Sequence, residues 1–305
     1  MNDKRAPGPV AYRPKLDNLR GILWMLLAVT LLTAMFAIIK QMATELPFFV
    51  VALMRTVTAL AMFVPWLIRV GRPGIATRRL KVHFLRAFFG IASFAAVVYA
   101  VGRLMLSDTM VLSFTSPFWS ILLSGLILGE AIRRDRTFAT IAGFVGVVMI
   151  VKPHGEVDHA MLIALGSAVL TSGAIISLKS LSATEPPARI VFYFFLFGTL
   201  FLLPPALLTW ETPTLEQFGW LIAAGVLGGV GQNFLARAYD AGQVTIIAPL
   251  DFLRMPLAAF FGFVVFSEIP DIWSAAGTAV IIGALLFIAR RDAIERRRQR
   301  GESEE

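Results

Sequence analysis

The sequence predicts an all-α polytopic membrane protein with ten transmembrane helices, arranged as two inverted five-helix repeats. Three observations support this prediction: the composition, a series of apolar runs, and a similarity between the two halves of the chain. Hydrophobic residues make up 57% of the 305 residues and charged residues 16%, with a mean hydropathy of +0.74. Soluble domains have roughly 45–50% apolar and about 25% charged residues. The excess of apolar side chains therefore excludes a soluble globular fold.

Ten apolar runs are each about long enough to cross the roughly 30 Å hydrocarbon core of a bilayer. They lie near 21–43, 46–68, 82–102, 107–129, 137–152, 160–180, 189–210, 216–236, 244–266 and 272–290. Because lipid offers no hydrogen-bond partners to the backbone, each run is expected to be helical. The fifth run is short and the eighth is rich in glycine. No small-residue cleavage site follows the first run, which therefore indicates a retained helix rather than a signal peptide.

Lysine and arginine predict the direction of the chain, since they concentrate in cytoplasmic loops. If the N-terminus is cytoplasmic, 22 of the 28 basic residues fall on that side, and only Lys40, Arg103 and Lys152 fall on the other. Both termini are therefore predicted to be cytoplasmic. The basic cluster at 296–300 fits a topology anchor near anionic headgroups, with a partner-binding tail as the alternative.

The remaining composition argues against several other functions. The net charge of +8 does not indicate nucleic-acid binding, because the basic residues stand in short clusters between apolar runs. The absence of cysteine excludes a disulfide framework, a thiolate metal site and a thiol nucleophile. No HExxH, GxSxG or phosphate-cradling GKS/GKT motif occurs, and the three histidines lie near span ends. We therefore expect no enzyme chemistry, no ATP-driven pump, and no cofactor or metal.

The second half of the chain repeats the first. Met105–Glu130 aligns with Gln243–Glu268 without a gap, at an offset of 138. Two further matches lie in nearly the same register: 43–47 on 183–187, both Ala-Thr-Glu-x-Pro, and Gly146 on Gly283. Because five helices is an odd number, the second copy enters the membrane from the opposite side. Inverted repeats of this kind form alternating-access carriers, which hold their solute near the bilayer midplane.

The two aligned blocks, SDTMVLSFTSPFWSILLSGLILGE and QVTIIAPLDFLRMPLAAFFGFVVFSE, resemble the signature stretches of the drug/metabolite transporter superfamily. In that family each half is called an EamA domain. The resemblance covers about 21–290 and implies secondary transport of small organic solutes, without ATP, across a bacterial inner membrane. The second block is similar to the branch of S-adenosylmethionine, riboflavin and opine-metallophore carriers. The superfamily also includes amino-acid exporters, so the resemblance does not identify the solute.

This organisation predicts four segments. Residues 1–20 are a cytoplasmic N-terminal segment, 21–152 the first EamA repeat, 160–290 the second, and 291–305 a basic cytoplasmic tail. The partners expected are a small-molecule solute and membrane lipids; nucleic acid is not expected, and a homodimer is left open.

Charged residues inside the spans are the first candidates for a solute site, because each costs roughly 2.5–3.5 kcal/mol on insertion scales. At about 1.5 Å per helical residue, Arg254 and Arg55 fall near the midplane. Lys40 and Arg86 lie closer to span ends, where long side chains can snorkel to the interface. Asp251 shares a helix face with Arg254. We expect Arg254 to bind an electron-rich or anionic part of the solute, with Asp251 holding it in place; a self-neutralising pair is the alternative.

The helix around this pair is expected to bend. Pro249 and Pro256 flank the pair, and each lacks the amide donor that a helix needs. At the equivalent positions the first repeat has Ser113 and Ser116, so the site should be chemically unequal between the halves. Proton coupling through Asp251, exchange and facilitated diffusion all stay open.

Other polar and aromatic side chains complete the candidate site. The amides of Gln232 and Asn233 can bond a neighbouring helix or a ligand, and the glycines around them favour close helix packing. Three aromatic residues could stack on a solute ring, although most aromatic residues in such a chain pack or face lipid: Phe114, Trp119 and Tyr99. Glu130 and Glu268 end equivalent helices and are candidates for gating, with a solvated or arginine-paired carboxylate as the alternative.

The leading hypothesis is a secondary carrier of a small polar or amphipathic metabolite that is vitamin-, nucleoside- or amino-acid-like. A non-transporting scaffold or sensor that keeps the carrier fold is the alternative, and a membrane-embedded enzyme is third.

Overall fold

A computed structural model describes residues 17–128, 134–151, 158–182, 184–241 and 247–301. Within these ranges the chain is helical and contains no β-strand. The helices of the first half are α1 (Asn18–Glu45), α2 (Phe48–Ala61), α3 (Val64–Ile75), α4 (Leu80–Val101), α5 (Leu106–Ser113), α6 (Ser116–Leu128) and α7 (Arg134–Val151). Those of the second half are α8 (His159–Ser182), α9 (Pro187–Leu208), α10 (Leu215–Ala241), a 3-10 helix (Ala248–Leu253), α11 (Arg254–Phe266) and α12 (Ile272–Gly301).

These helices build ten spans, which confirms the predicted fold class. In the described residues, seven are long and apolar enough to cross a bilayer alone: Asn18–Glu45, Phe48–Gly71, Leu80–Val101, His159–Leu178, Ala188–Leu208, Leu215–Leu235 and Ile272–Arg291. The fifth span is the shorter apolar helix Thr137–Val151. The fourth span consists of α5 and α6, and the ninth of the 3-10 helix and α11.

The breaks in the fourth and ninth spans occur at the same place in the two repeats. α6 begins at Ser116 and α11 at Arg254, and the offset of 138 places these two residues on each other. Proline explains both breaks, because it cannot donate to the carbonyl four residues earlier. Pro117 leaves the Ser113 carbonyl without its helical donor, and Pro256 does the same to Phe252.

Two helix limits differ from the predicted spans. The second span is interrupted by a turn at Met62 and Phe63, between α2 and α3. The last helix continues past the predicted span end at 290 to Gly301. The continuation, RDAIERRRQRG, is rich in arginine and also contains alanine, glutamate and glutamine, all of which favour helix. The helix therefore continues beyond the apolar region.

The packing of the helices has the predicted inverted symmetry. α1, the first helix of repeat one, packs along α10, the third span of repeat two. In the same way α8, the first helix of repeat two, packs along α4, the third span of repeat one. Two further contacts pair a helix with its own repeat equivalent, α2 with α9 and α7 with α12, and α2 with α10 is matched by α9 with α4. A pseudo-twofold axis therefore relates the halves and passes between the members of the two pairs of repeat equivalents.

The repeated Ala-Thr-Glu motif supports this symmetry at the level of single hydrogen bonds. Glu45 accepts a hydrogen bond from the amide of Gln217 at 3.0 Å. Glu185 accepts one from the hydroxyl of Thr77 at 2.6 Å. At the offset of 140, Glu45 corresponds to Glu185 and Thr77 to Gln217. The same contact is thus made twice, once by each repeat to the other.

The crossing of α7 and α12 depends on two glycines. A Cβ atom added at Gly277 would lie 2.6 Å from the carbonyl oxygen of Gly146, and one at Gly146 would lie 2.8 Å from the carbonyl oxygen of Gly277. Both contacts are with backbone, which cannot rotate away. Small residues at helix crossings permit this close approach within membranes.

We expect Gly277→Ala to destabilise the protein by about 1–3 kcal/mol, the usual cost of overpacking. Gly283→Ala on the same helix is the matched control, because no atom lies within 4 Å of a Cβ added there. Thermal unfolding of the purified variants in detergent measures the difference. Equal stabilities for the two variants would contradict the crossing described here.

Candidate functional site

Arg55 of α2 is a buried cation that packs against the faces of aromatic rings. Its side chain is only 3% exposed. The guanidinium carbon lies 4.5 Å from the ring centre of Phe94 and 5.3 Å from that of Phe195. In the part of the chain that the structure describes, the Arg55 Nε has no hydrogen-bond partner and no carboxylate pairs with it. Arg55 is thus held by cation–π contacts rather than by an anion.

The contact between Arg55 and Phe195 fixes the position of Arg55 relative to the two halves. At the offset of 140, Arg55 of the first repeat corresponds to Phe195 of the second. A position touches its own symmetry equivalent only where it lies next to the symmetry axis. Arg55 is therefore beside the pseudo-twofold axis, at mid-height of the bundle and at the interface between the repeats.

The glycine-rich face of α10 is filled by side chains of α1 and α2. A Cβ added at Gly228 would lie 3.0 Å from the Arg55 Nε and 2.8 Å from the Met35 sulfur. One added at Gly231 would lie 2.8 Å from Leu32. The small residues therefore serve close helix packing, and they bring α10 against the guanidinium of Arg55.

Asp251 and Arg254 form an ion pair across the junction of the 3-10 helix and α11. The Arg254 Nε lies 2.7 Å from an Asp251 carboxylate oxygen, and the two side chains are 12% and 27% exposed. The Arg254 guanidinium also lies 5.6 Å from the ring centre of Phe114, at the break of the fourth span. The structure thus brings together the breaks of both repeats, with Arg254 and Asp251 from one and Phe114 from the other.

The other aromatic candidates lie in different places. Trp119, on α6, packs edge-on against Phe144 at 5.1 Å, and its buried indole N–H has no acceptor among the described residues. Tyr99 lies near the end of α4, under the exposed guanidinium of Arg103 at 3.8 Å and against Phe48 at 5.3 Å. Tyr99 is therefore part of an aromatic cluster at one end of the bundle, away from the mid-height position of Arg55.

The amides of Gln232 and Asn233 are not brought into the same cluster. Asn233 is exposed and accepts a hydrogen bond from the Arg237 Nε at 2.9 Å, one turn along α10. Gln232 is half-buried next to Gly231. Asn233 thus bonds its own helix, an arrangement that neither expectation from the sequence included.

Lys40 does not snorkel to the interface, so this prediction is wrong. Its side chain is buried, and the ammonium nitrogen lies 2.7 Å from a carboxylate oxygen of Glu268. The ammonium also donates to the carbonyl of Val101 at 3.1 Å and to that of Leu104. The Val101 carbonyl ends α4, where carbonyls have no helical donor, and Leu104 lies in the connection between α4 and α5. The end of α4 and the carboxylate together give Lys40 better partners than the interface does.

Glu268 connects the end of the second repeat to the first. Its second oxygen accepts the backbone N–H of Leu106, the first residue of α5, at 2.9 Å. Ser267 just before it has φ 55°, the left-handed turn that ends α11 and aims Glu268 at α5. Glu268 therefore links α1, α5 and α11 at one end of the bundle. Its predicted counterpart, Glu130, lies outside the described residues.

Arg86 also departs from the prediction that it snorkels. Its guanidinium lies 4.6 Å from the ring centre of Phe194, and a Cβ added at Gly90 would collide with it. The side chain therefore runs along α4 towards the middle of the helix. The ring of Phe194 and the absent side chain at Gly90 make this inward path available.

A cluster of hydroxyl groups around the first break was missed at the sequence level. Ser172 donates to the Ser116 carbonyl at 2.8 Å, and Ser167 donates to the Ser113 hydroxyl at 3.1 Å. Ser93 donates in turn to the Ser167 carbonyl at 2.8 Å. Single serines in apolar runs give no clear signal. Only the position of Ser167 and Ser172 opposite a proline break could have indicated this network.

Asp108 is a buried acid that the sequence analysis also passed over. It is 7% exposed and accepts a hydrogen bond from the Ser274 hydroxyl at 3.4 Å, which joins α5 to the start of α12. It was overlooked because it falls in the first turn of a span, where a carboxylate is common. Within the described ranges, no cluster of acidic residues and histidines could hold a metal ion.

Glu185, in the connection between α8 and α9, is a buried carboxylate outside the spans. Burial alone would raise the pKa of Glu185. The hydrogen bonds from Thr77 and Arg189 and the charge of Arg189 outweigh burial, so the pKa of Glu185 lies below its usual value. The Arg189 guanidinium lies 2.6 Å from the Glu185 carboxylate. The carboxylate is therefore ionised near neutral pH and holds this connection to the first repeat.

The chain is similar in sequence to a transporter family and to several named bacterial transporters. The model of the EamA-like transporter family matches residues 19–152 and 159–290. The pseudopaline exporter CntI of Pseudomonas aeruginosa is 30% identical over 90% of this chain and 98% of its own length. A riboflavin transporter of Vibrio cholerae is 30% identical over 92% and 97%. An S-adenosylmethionine uptake transporter of Rickettsia prowazekii is 30% identical over 88% and 92%.

One solved structure shares the fold. It superposes with a TM-score of 0.59 over 89% of this chain and 98% of its own, at 17% sequence identity.

We expect Lys40→Met to destabilise the protein by about 3–5 kcal/mol, because it leaves the Glu268 carboxylate buried without its cation. The double variant Lys40→Met/Glu268→Gln should lose less than the sum of the two single variants. As a control, Arg20→Ala breaks the exposed pair with Asp17 and should cost at most about 1 kcal/mol. Thermal unfolding in detergent measures all four, and strictly additive effects would show that the pair is not coupled.

Proposed function

Because the chain belongs to the EamA-like transporter family, it is a small-metabolite transporter of the bacterial inner membrane, and we propose that it works as a secondary carrier by alternating access. One observation carries this proposal. The helix breaks of both repeats meet, with Arg254 over Phe114, while Arg55 lies on the pseudo-twofold axis. Carriers built from inverted repeats hold their solute at such broken helices near the midplane.

The proposed solute site has two parts of different chemistry. Asp251 and Arg254 offer a neutral pair of opposite charges at the second break, and both side chains are partly buried. Phe114 adds an aromatic face beside Arg254. Trp119 packs against Phe144, and its N–H, which has no acceptor among the described residues, is proposed as a separate hydrogen-bond donor. Arg55 supplies a net positive charge at the axis. Rocking of the halves about this axis would expose the same groups to either side in turn.

One end of the bundle is closed, and we propose that Glu268 is part of its gate. There α5 packs against α11, and the ion pair of Lys40 with Glu268 spans both repeats. With the predicted orientation this closed end is the outer one. Opening outwards would require the ion pair to separate.

The names of the relatives indicate the class of solute. The relatives are named as transporters of riboflavin, S-adenosylmethionine and pseudopaline. We propose that this chain carries a vitamin-, nucleoside- or amino-acid-like metabolite. We also propose cytoplasmic termini and no catalytic activity, with membrane lipids as the surrounding partners. Proton coupling, exchange and facilitated diffusion are distinguished by whether transport needs a pH gradient, a counter-solute or neither.

Counterflow of labelled solutes in proteoliposomes tests the carrier proposal. Vesicles loaded with unlabelled amino acids, nucleosides or vitamins should accumulate the matching labelled solute without ATP. If no solute from these panels moves and none stabilises the purified protein, a scaffold or sensor that retains the fold becomes the better account.

We predict that Arg254→Ala lowers uptake of the carried solute more than tenfold, because the solute loses a charge-assisted contact and Asp251 loses its partner. Arg103→Ala is the matched control, since Arg103 is exposed at the end of α4. Both variants should insert and purify like the wild type, as checked by size-exclusion chromatography. Wild-type uptake by Arg254→Ala would remove Arg254 from the site.

A further inference from the structure

Arg55, which is buried, and Arg86, which is partly buried, differ from the other buried or partly buried cations described in this bundle. Lys40 pairs with Glu268, Arg254 with Asp251, and Arg189 with Glu185. Arg55 and Arg86 pair with no carboxylate in the part of the chain that the structure describes, and the Nε atoms of both are buried without an acceptor. A cation inside a membrane protein is costly unless something neutralises it. For these two the counter-charge must come from outside the described residues.

The two guanidinium groups lie on one face of α4. Arg86, Gly90 and Phe94 follow each other at intervals of four residues and so share that face. The Arg86 side chain extends past Gly90 in the direction of Phe94, and Arg55 lies over the ring of Phe94. The Arg86 guanidinium therefore lies level with Gly90 and the Arg55 guanidinium lies over Phe94, which are one helical turn of about 5.4 Å apart on this face.

The aromatic rings hold the guanidinium groups without using their donors. Phe94, Phe194 and Phe195 contact the two cations through ring faces, and Phe194 and Phe195 lie 5.3 Å apart. A ring face binds the flat side of a guanidinium. The N–H groups point outwards in its plane, where their fork matches the two oxygens of a carboxylate or phosphate. The Nε–H groups of both arginines are thus buried and have no acceptor among the described residues.

We propose that Arg55 and Arg86 form an oxyanion-binding subsite, so that the carried solute is an organic anion with a carboxylate or phosphate group. This inference rests on the proposed carrier function and adds to it the charge of the solute. Asp251 and Arg254 neutralise each other and contribute no net charge, whereas the α4 subsite carries two positive charges. The anionic group would bind at α4, and the remainder of the solute would extend towards Arg254 and Phe114.

Thermal unfolding of the purified full-length protein tests the subsite directly. Citrate, glutarate and inorganic phosphate are added at constant ionic strength against chloride, with glucose as the neutral control. At least one oxyanion should raise the unfolding temperature by several degrees, and glucose should not. A response to phosphate alone, or to the carboxylates alone, identifies the type of anionic group. No shift with any of the three would overturn the proposal.

Variants distinguish a binding role from a structural one. Arg55→Met and Arg86→Met should weaken the apparent affinity for the stabilising oxyanion at least tenfold, whereas Arg103→Met should not. Without ligand, Arg55→Met should be as stable as the wild type or more so, because it replaces an unpaired buried charge by an apolar chain. A less stable Arg55→Met that keeps the full oxyanion response would show that Arg55 only packs.

A glycine variant provides a second route if Arg55→Met does not fold. Gly228→Ala would press on the Arg55 guanidinium and should weaken oxyanion binding several-fold, whereas Gly219→Ala on the same helix has no atom within 4 Å and should not. Counterflow then separates the two proposals. If only neutral or cationic solutes move, and Arg55→Met moves them normally, the carrier function stands and the oxyanion subsite is wrong.

Discussion

Every polar group inside this bundle must find its partner within the protein or its ligand, because lipid offers none. The two broken helices meet this constraint differently. In the first repeat, hydroxyl groups of α8 bond the loosened turn around Ser113 and Ser116. In the second, Asp251 and Arg254 occupy the same two positions and satisfy each other as an ion pair. One backbone distortion is thus maintained by neutral hydrogen bonds in one half and by charge in the other.

The same constraint explains how the halves are connected. Contacts between the repeats are polar at the ends, through Glu45, Glu185 and Glu268, and involve small or aromatic residues in the middle. The ends can exchange their hydrogen bonds for water when they open. The middle has no such replacement, so packing and cation–π contacts hold the halves together there. We therefore propose that alternating access takes the form of a rocking motion about the central contact.

The general architecture was predictable because it depends on averages along the chain. Span count, inverted repeat and family follow from hydropathy and from the match of 105–130 with 243–268. Pro249 and Pro256 predicted the break at Arg254. The errors concern the partners of individual side chains. Depth alone predicted that Lys40 and Arg86 extend to the membrane interface. Instead, Lys40 binds the Val101 carbonyl and Glu268, and Arg86 packs on the ring of Phe194. Such partners come from distant helices and leave no local signal.

The contact of Arg55 with Phe195 has a consequence for the origin of the protein. In a symmetric ancestor made of two identical units in opposite orientations, the residue at this position would face a second copy of itself. Two arginines there would repel each other in a dry interior. The uncharged Phe195 opposite Arg55 removes this repulsion and provides a ring face for the charge instead. We therefore infer that the two copies diverged at this position before or when the charge was acquired.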